Sequence, residues 1–184
     1  MANREAIREL QTRLASRLRT ARDEGLSISW LAVKAGGRNY LFPLAQSGEI
    51  FPISGVQPVP FAVHWFRGVV NLRGGLYGVA DMAGFMADAA DLPATGTANP
   101  QRAGTQSVVT LNAALGVNCA LLVDMLAGLR NPQALGASRP PEADAPAFFG
   151  NRYTDADDQP WQEINLQTLS QHPRFLSITA QVHS

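Results

Sequence analysis

Trp65-Phe66-Arg67-Gly68-Val69-Val70-Asn71-Leu72-Arg73-Gly74-Gly75-Leu76-Tyr77-Gly78-Val79-Ala80-Asp81 is the stretch on which the reading of this chain turns. Two apolar runs, Val69–Leu72 and Leu76–Ala80, flank Arg73-Gly74-Gly75. A Gly pair between β-type runs marks a tight hairpin, because glycine accepts the positive φ such turns need. With Gly74 and Gly75 as the turn, Arg73 faces Leu76, Leu72 faces Tyr77, Asn71 faces Gly78 and Val70 faces Val79. The period of two then puts Val70, Leu72, Tyr77 and Val79 on one face. The other face carries Asn71 and Arg73 beside small Gly78 and Ala80, which leaves the guanidinium room to be presented outward. That polar face is the candidate functional surface.

The chain has 184 residues, 46% of them hydrophobic and 16% charged, enough to bury a core as one domain or two small packed ones. Fifteen basic and fifteen acidic residues cancel, so no overall field would recruit nucleic acid or an anionic membrane. Cys119 is the single cysteine, which excludes an intramolecular disulfide and a cysteine-based zinc cluster and suits a reducing compartment. The start of the sequence has no signal-peptide apolar region, and the longest apolar runs, such as Cys119–Val123, are far too short to span a bilayer. The expected location is the cytoplasm, with no direct membrane insertion.

Residues 3–24 read as an amphipathic helix with Ile7, Leu10, Leu14 and Leu18 on one stripe, Asn3 as N-cap and Gly25 as C-terminal cap. Such a stripe docks on the body of the same domain or on a partner helix. From Ser29 the period becomes two. Trp30–Val33 and Asn39–Leu44 form a hairpin around Gly36-Gly37, and Glu49–Phe51 forms a short strand. Pro52, Pro58 and Pro60 then break the chain into extended turns. Residues 87–106, mostly Ala, Asp, Thr, Gly and Pro, read as a surface loop between two halves. Val108–Leu111 and Val117–Val123 repeat the hairpin device, continuing through Asp124 to Leu129, which suggests a pseudo-repeat of two small β-barrels. Residues 131–146 read as a second loop. Strands at Phe148–Tyr153 and Trp161–Ile164 follow, and then a short helix, Leu166–Gln171, capped by Asn165 and ending before Pro173.

Phe66-Arg67-Gly68-Val69-Val70-Asn71-Leu72-Arg73-Gly74 resembles the signature of the CheW-like family of chemotaxis coupling proteins. The flanking parts come in a similar order: Glu49-Ile50, Val79-Ala80-Asp81-Met82, Leu121-Leu122-Val123-Asp124 and Ile164–Leu169. The resemblance spans about residues 29–178. It implies a mainly β fold of two packed SH3-like β-barrel lobes, with an N-terminal helical extension over 1–28, a CheW-like domain over 29–184 and lobes divided near the 87–106 loop. It also implies a non-catalytic adaptor that joins the cytoplasmic tip of a transmembrane chemoreceptor to the regulatory domain of a CheA-type histidine kinase, in membrane-bound receptor arrays. Trp65-Phe66 and the N-terminal helix look closest, within the family, to the PilI-type coupling proteins of type IV pilus twitching motility.

On that resemblance the receptor contact centres on Arg73, with Asn71, Gly68 and Gly74 shaping the hairpin and Glu49 at a position implicated in coupling. The departures are Tyr77-Gly78, where the family often has Pro after the turn, and the approach Val63-His64-Trp65. The alternative role for Arg73 is a structural ion pair with Asp81 or Asp124. Phe51, Phe61, Trp65 and Phe66 crowd a Pro-rich segment, and an aromatic exposed there would anchor the kinase domain; the alternative is core. Cys119 reads as a buried, inert thiol. No nucleophile elbow, HExxH or phosphate-binding Gly loop appears, so no catalytic, cofactor or metal residue is expected. The competing reading is a small β-barrel enzyme or ligand-binding protein whose cleft uses Asp81, Asp124, His64 and Cys119.

Overall fold

The computed structural model describes residues 2–23, 29–92 and 106–179. The order of elements is α1 (Ala2–Asp23), β1 (Trp30–Ala35), β2 (Arg38–Pro43), β3 (Ser47–Pro52), β4 (Phe66–Leu72), β5 (Gly75–Asp81), α2 (Met82–Ala89), β6 (Ser107–Leu111), β7 (Cys119–Val123), β8 (Met125–Arg130), β9 (Leu135–Arg139), β10 (Phe149–Asp155), β11 (Pro160–Ile164), α3 (Leu166–Gln171) and α4 (Pro173–Leu176). The expected cap Gly25 and the inner part of the 87–106 segment lie outside the described residues.

The strands form a six-stranded sheet, β8-β1-β2-β11-β10-β9, and a five-stranded sheet, β3-β6-β7-β5-β4. These are the two SH3-like lobes, and neither closes by pairing its end strands. The two sheets share one plan. In each, a hairpin (β1–β2 or β6–β7) pairs parallel with a later or earlier strand (β11 or β5), which pairs antiparallel with the strand before it (β10 or β4). On the outer side of β4 the position that β9 occupies beside β10 is taken by a single bridge, Gln57 to Val69. The chain reaches the same plan in a different order in each lobe, so both sheets draw strands from both sides of residues 87–106. The segment after Asp124 does not extend the β6–β7 hairpin: β8 crosses to the other sheet and pairs with β1.

Three apolar clusters follow from strand alternation. Trp30, Ala32, Leu41 and Trp161 fill the larger lobe, and Val70, Val79, Val108, Ala120 and Leu122 fill the smaller one. The intervening residues, among them Leu31, Val33, Phe42, Val109, Leu121 and Val123, face a third and larger cluster between the lobes, to which α2 adds Met82, Phe85 and Met86. Strands buried on both faces read as continuous apolar runs, which is why Trp30–Val33 and Cys119–Val123 show little polar alternation.

The helix α1 docks on this body. It begins at Ala2, ahead of the expected cap Asn3. Leu14 is buried in the inter-lobe core with Ala15 against it, whereas Leu10 is 51% exposed. The docked line includes Gln11, whose Nε2 donates to Ser107 Oγ at 2.7 Å; with that bond made, a polar residue takes the buried line and Leu10 turns outward. The side chain of Leu18 lies outside the described residues.

Three elements were not expected: α2, β9 and α4. Residues 135–139 form β9, at the edge of its sheet with only Leu135 buried, so it carries no apolar period. Asp81 caps α2 by accepting from Ala83 N at 3.1 Å and Gly84 N at 3.4 Å. Asn165 caps α3 through Thr168 N as expected, and Pro173 opens α4 beyond it as the first-turn residue of a new helix.

Closure of the smaller lobe depends on Gly68. Gln57 and Val69 exchange backbone hydrogen bonds of 2.7 and 2.9 Å. Gly68 has φ +130°, and a Cβ there would lie 2.0 Å from the Gln57 carbonyl oxygen. Gly68→Ala should therefore destabilise the protein by about 3 kcal/mol or more, from strain and clash together, read as a lower urea midpoint. A midpoint equal to that of the parent would show that this closure is dispensable.

Candidate functional site

The hairpin β4–β5 forms as expected, but its turn is Arg73-Gly74, with φ +50° and +85°. Positive φ at both central residues is the type I′ pattern that matches strand twist. Leu72 pairs with Gly75, Asn71 with Leu76 and Val70 with Tyr77. The expected pairing is corrected by two residues on the partner strand, so the sorting of faces survives while the opposed residues change. Asn71 explains the shift. Its Oδ1 accepts from Gly74 N at 2.9 Å and fixes the turn one residue earlier.

Arg73 thus sits at the tip of the hairpin. Its Nη1 lies 2.7 Å from Glu49 Oε2, and its guanidinium stands over the Phe51 ring at 5.5 Å. The structural pair anticipated with Asp81 or Asp124 is made with Glu49 instead. Asp81 is committed to the α2 cap and lies 3.6 Å from Arg67, and Asp124 accepts from Gly36 N at 2.9 Å, tying β7 to the β1–β2 turn.

Glu49 reaches the hairpin because β3 is irregular there: its register with β6 shifts between Ser47 and Ile50. Within the shift, Glu49 N donates to Thr110 Oγ1 at 2.7 Å. Such irregularities re-aim a side chain, and this one aims a carboxylate across the open side of the sheet, from its β3 end to the hairpin at its β4 end. The structure therefore brings Arg73, Asn71, Gly74 and Glu49 together, with Gly68 as the backbone approach behind them. Leu76, opposite Asn71 and 62% exposed, belongs to the same surface and was missed. The strand period already put it on the face of Asn71 and Arg73, and the corrected register moves it from opposite Arg73 to opposite Asn71.

The four aromatics part company. Trp65, expected as an exposed anchor, is 4% exposed and lies between Phe85 and Phe175, with ring centroids at 5.1 and 5.9 Å. Phe66 is half-buried and its ring lies over Gly78, where a Cβ would come within 2.9 Å of it. That contact gives the Gly78 departure from the family pattern a structural role. Phe51 is engaged by Arg73. Phe61 alone of the four is presented to solvent, 80% exposed on a residue with φ +59°. The Ala62–Thr179 bridge and the hydrogen bond from Val63 N to Ile178 O follow directly after it. Bulky residues rarely adopt positive φ, and such strain persists only where neighbours hold it.

The groups considered for a catalytic cleft are spent elsewhere. His64 faces Asp88 at 3.5 Å. Burial pushes the Cys119 thiol up to about 12, so it stays protonated at neutral pH. It lines an apolar cavity of about 220 Å³ with Trp65, Phe66, Val117 and Leu176, which offers no polar group suited to activating it.

The described residues thus form two small lobes joined through a shared core, with an exposed hairpin tip on the smaller one. Residues 29–174 match the CheW-like domain family, and the chain belongs to it. The family consists of scaffold and coupling proteins of chemotaxis-type signalling, not enzymes. The chain is 28% identical over 170 residues to Protein PilI of Pseudomonas aeruginosa, covering 90% of this chain and 88% of that one. Its fold matches the crystal structure of the scaffolding protein TtCheW from Thermoanaerobacter tengcongensis with a TM-score of 0.56 at 15% identity, over 76% of this chain and 89% of that one.

Two measurements test this geometry. Trp30, Trp65 and Trp161 are all buried, so iodide should barely quench the native fluorescence; strong quenching would contradict the placement of Trp65. The Arg73–Glu49 pair is largely exposed, so Glu49→Ala should cost under about 1 kcal/mol in a urea melt, and a larger loss would make the pair structural.

Proposed function

We propose that this protein is a non-catalytic adaptor that couples a transmembrane chemoreceptor to a CheA-type histidine kinase in a type IV pilus twitching system. The observation that carries the reading is the hairpin tip, where a rigid type I′ turn presents Arg73 beside Asn71, Glu49 and Leu76. Arg suits such a site because its planar fork directs several hydrogen bonds to one partner. The exposed pair with Glu49 holds the guanidinium in place and can be exchanged for a partner's acceptors at little cost. Similarity to PilI supports the pilus assignment. No helix among the described residues is long and apolar enough to cross a membrane, which fits attachment to an array through receptor contacts.

The functional unit is residues 29–184, with residues 1–28 as a helical extension. The receptor surface is Arg73, Asn71, Glu49 and Leu76, shaped by Gly68 and Gly74. The kinase contact is Phe61, beside half-exposed Val59 in sequence; Phe51 is engaged by Arg73, Phe66 covers Gly78, and Trp65 is structural. Signal passes by population shift: each partner favours one arrangement of the complex through differential affinity, and no bond is made or broken here.

Arg73→Ala should weaken binding to the cognate receptor tip by about tenfold, with an unchanged melting temperature; full affinity, or an unfolded variant, would overturn the assignment. Phe61→Gly should separate the two roles of that residue. Glycine accepts φ +59°, so stability should hold or rise by up to about 1 kcal/mol while kinase affinity falls. Retention of kinase autophosphorylation control by this variant in a reconstituted receptor array would remove Phe61 from the interface.

A further inference from the structure

The larger lobe carries a charge arrangement that the coupling reading does not use. Register places Arg139 of β9 directly opposite Arg152 of β10, Arg152 opposite Gln162 of β11, and Gln162 beside Tyr40 of β2. These four point to one face of the sheet, and Arg38, two residues before Tyr40, points the same way. The neighbouring side chains show that this sorting is real. Tyr153 and Trp161, one position along their strands, belong to the lobe's own core on the reverse face.

The carboxylates of these strands follow the reverse face as well. Glu163 accepts from Trp30 Nε1 at 2.8 Å, and Asp155 accepts from Trp161 Nε1 at 2.8 Å. Among the described residues, Arg38, Arg139 and Arg152 have no carboxylate within salt-bridge distance. Like charges directly opposite on antiparallel strands, about 5 Å apart at Cβ, destabilise a sheet. A sheet edge that keeps Arg139 against Arg152, with the available acids turned away, holds a locally unfavourable arrangement of the kind found at ligand sites.

The surface over these arginines is concave. Two adjoining cavities of about 340 and 330 Å³ share Phe149, Arg152 and Gln162 as lining. Arg139 lies in the first and Arg38 with Tyr40 in the second. The outer wall of the first is the segment 140–146, stiffened by Pro140, Pro141 and Pro146, with Glu142 and Asp144 on it. Each volume is in the range of small-ligand sites. The row from Arg139 to Arg38 crosses three strand spacings, about 14 Å. Guanidinium groups bind phosphoryl oxygens through paired N–H donors and stack on flat rings, and Phe149 supplies an apolar wall beside them.

We propose that this cleft is a binding site for a phosphorylated small molecule of nucleotide size, with Arg152 and Arg139 on its phosphoryl groups and Arg38 at the far end. Concavity favours a compact ligand over an extended acidic segment, and Glu142 and Asp144 on the outer wall confine the phosphoryl groups to the Arg139–Arg152 side of the cleft. The site is in the lobe opposite the hairpin tip and does not depend on the receptor or kinase assignment.

Isothermal titration of the full chain at low salt with ATP, pyrophosphate, adenosine and a hexaglutamate peptide tests the proposal. ATP or pyrophosphate should bind saturably and weaken with added salt, while adenosine and hexaglutamate should not bind. Equal affinity for ATP and pyrophosphate would assign recognition to the phosphoryl groups; tighter ATP would add the base. Arg152→Gln and Arg139→Gln should each lose at least about tenfold in affinity and melt no lower than the parent, because each relieves the opposed charges. The proposal is overturned by the absence of saturable phosphate binding at millimolar concentration, by full affinity in both folded variants, or by hexaglutamate binding where ATP and pyrophosphate do not.

Discussion

The fold depends on strands that are buried on both faces. In β1, β2, β6 and β7, alternate side chains go to the core of one lobe and to the core shared by the two. Leu31 and Val33 face Leu121 and Val123 through the shared cluster, while Trp30 and Ala32 remain inside their own lobe. Neither lobe could separate without exposing half of each such strand, at roughly 25 cal/mol for every Å² uncovered. Because close-packed interiors transmit displacement, a shift of β5 or β7 caused at one lobe is felt by the other. The shared core thus gives the two lobes a physical route between them.

Against that rigid interior the hairpin tip is held in two ways of very different strength. The backbone of the hairpin is fixed by the Gln57–Val69 bridge, the Asn71–Gly74 bond and a glycine that no other residue can replace without clash. The Arg73 side chain is held by exposed contacts, an ion pair to Glu49 and a stack on Phe51. Exposed pairs contribute about 0–1 kcal/mol, so a partner can displace them while the turn stays in place. A preorganised backbone with exchangeable side-chain partners reduces the ordering cost of binding.

Hairpins and caps were legible because their signals are local. Gly36-Gly37, the Arg73-Gly74-Gly75 turn and Asn165 each specify geometry within a few residues. The register of the central hairpin was not legible because it hung on whether Arg73 would adopt positive φ, which the Asn71 side chain settles. Sheet membership beyond the hairpins was not legible. Period two says which face is apolar but not which strand will be the neighbour, so β8 looked like a continuation of β7 and the lobes looked like halves of the chain. The edge strand β9 has four exposed residues of five and gives no period to read. For the aromatics, Trp65 and Phe61 share a Pro-rich context in sequence, and only the fold sends one into the core and the other to the surface.

Net charge was the least informative signal, and its failure is instructive. Fifteen acids and fifteen bases cancel in sum, yet they are not interspersed in space. On the smaller lobe Arg73 finds Glu49 and Arg67 finds Asp81. On the larger lobe the strand period sends Glu163 and Asp155 to the reverse face, where they accept from indole N–H groups, and leaves Arg139 and Arg152 opposed on the other. Within a few Å the local field is set by this sorting, because more distant charges are screened over a Debye length of about 8–10 Å. A neutral chain can therefore hold ion-paired arginines on one lobe and, among the described residues, arginines without a salt bridge on the other. The alternation of side chains along β10 and β11, and not composition, decides which is which.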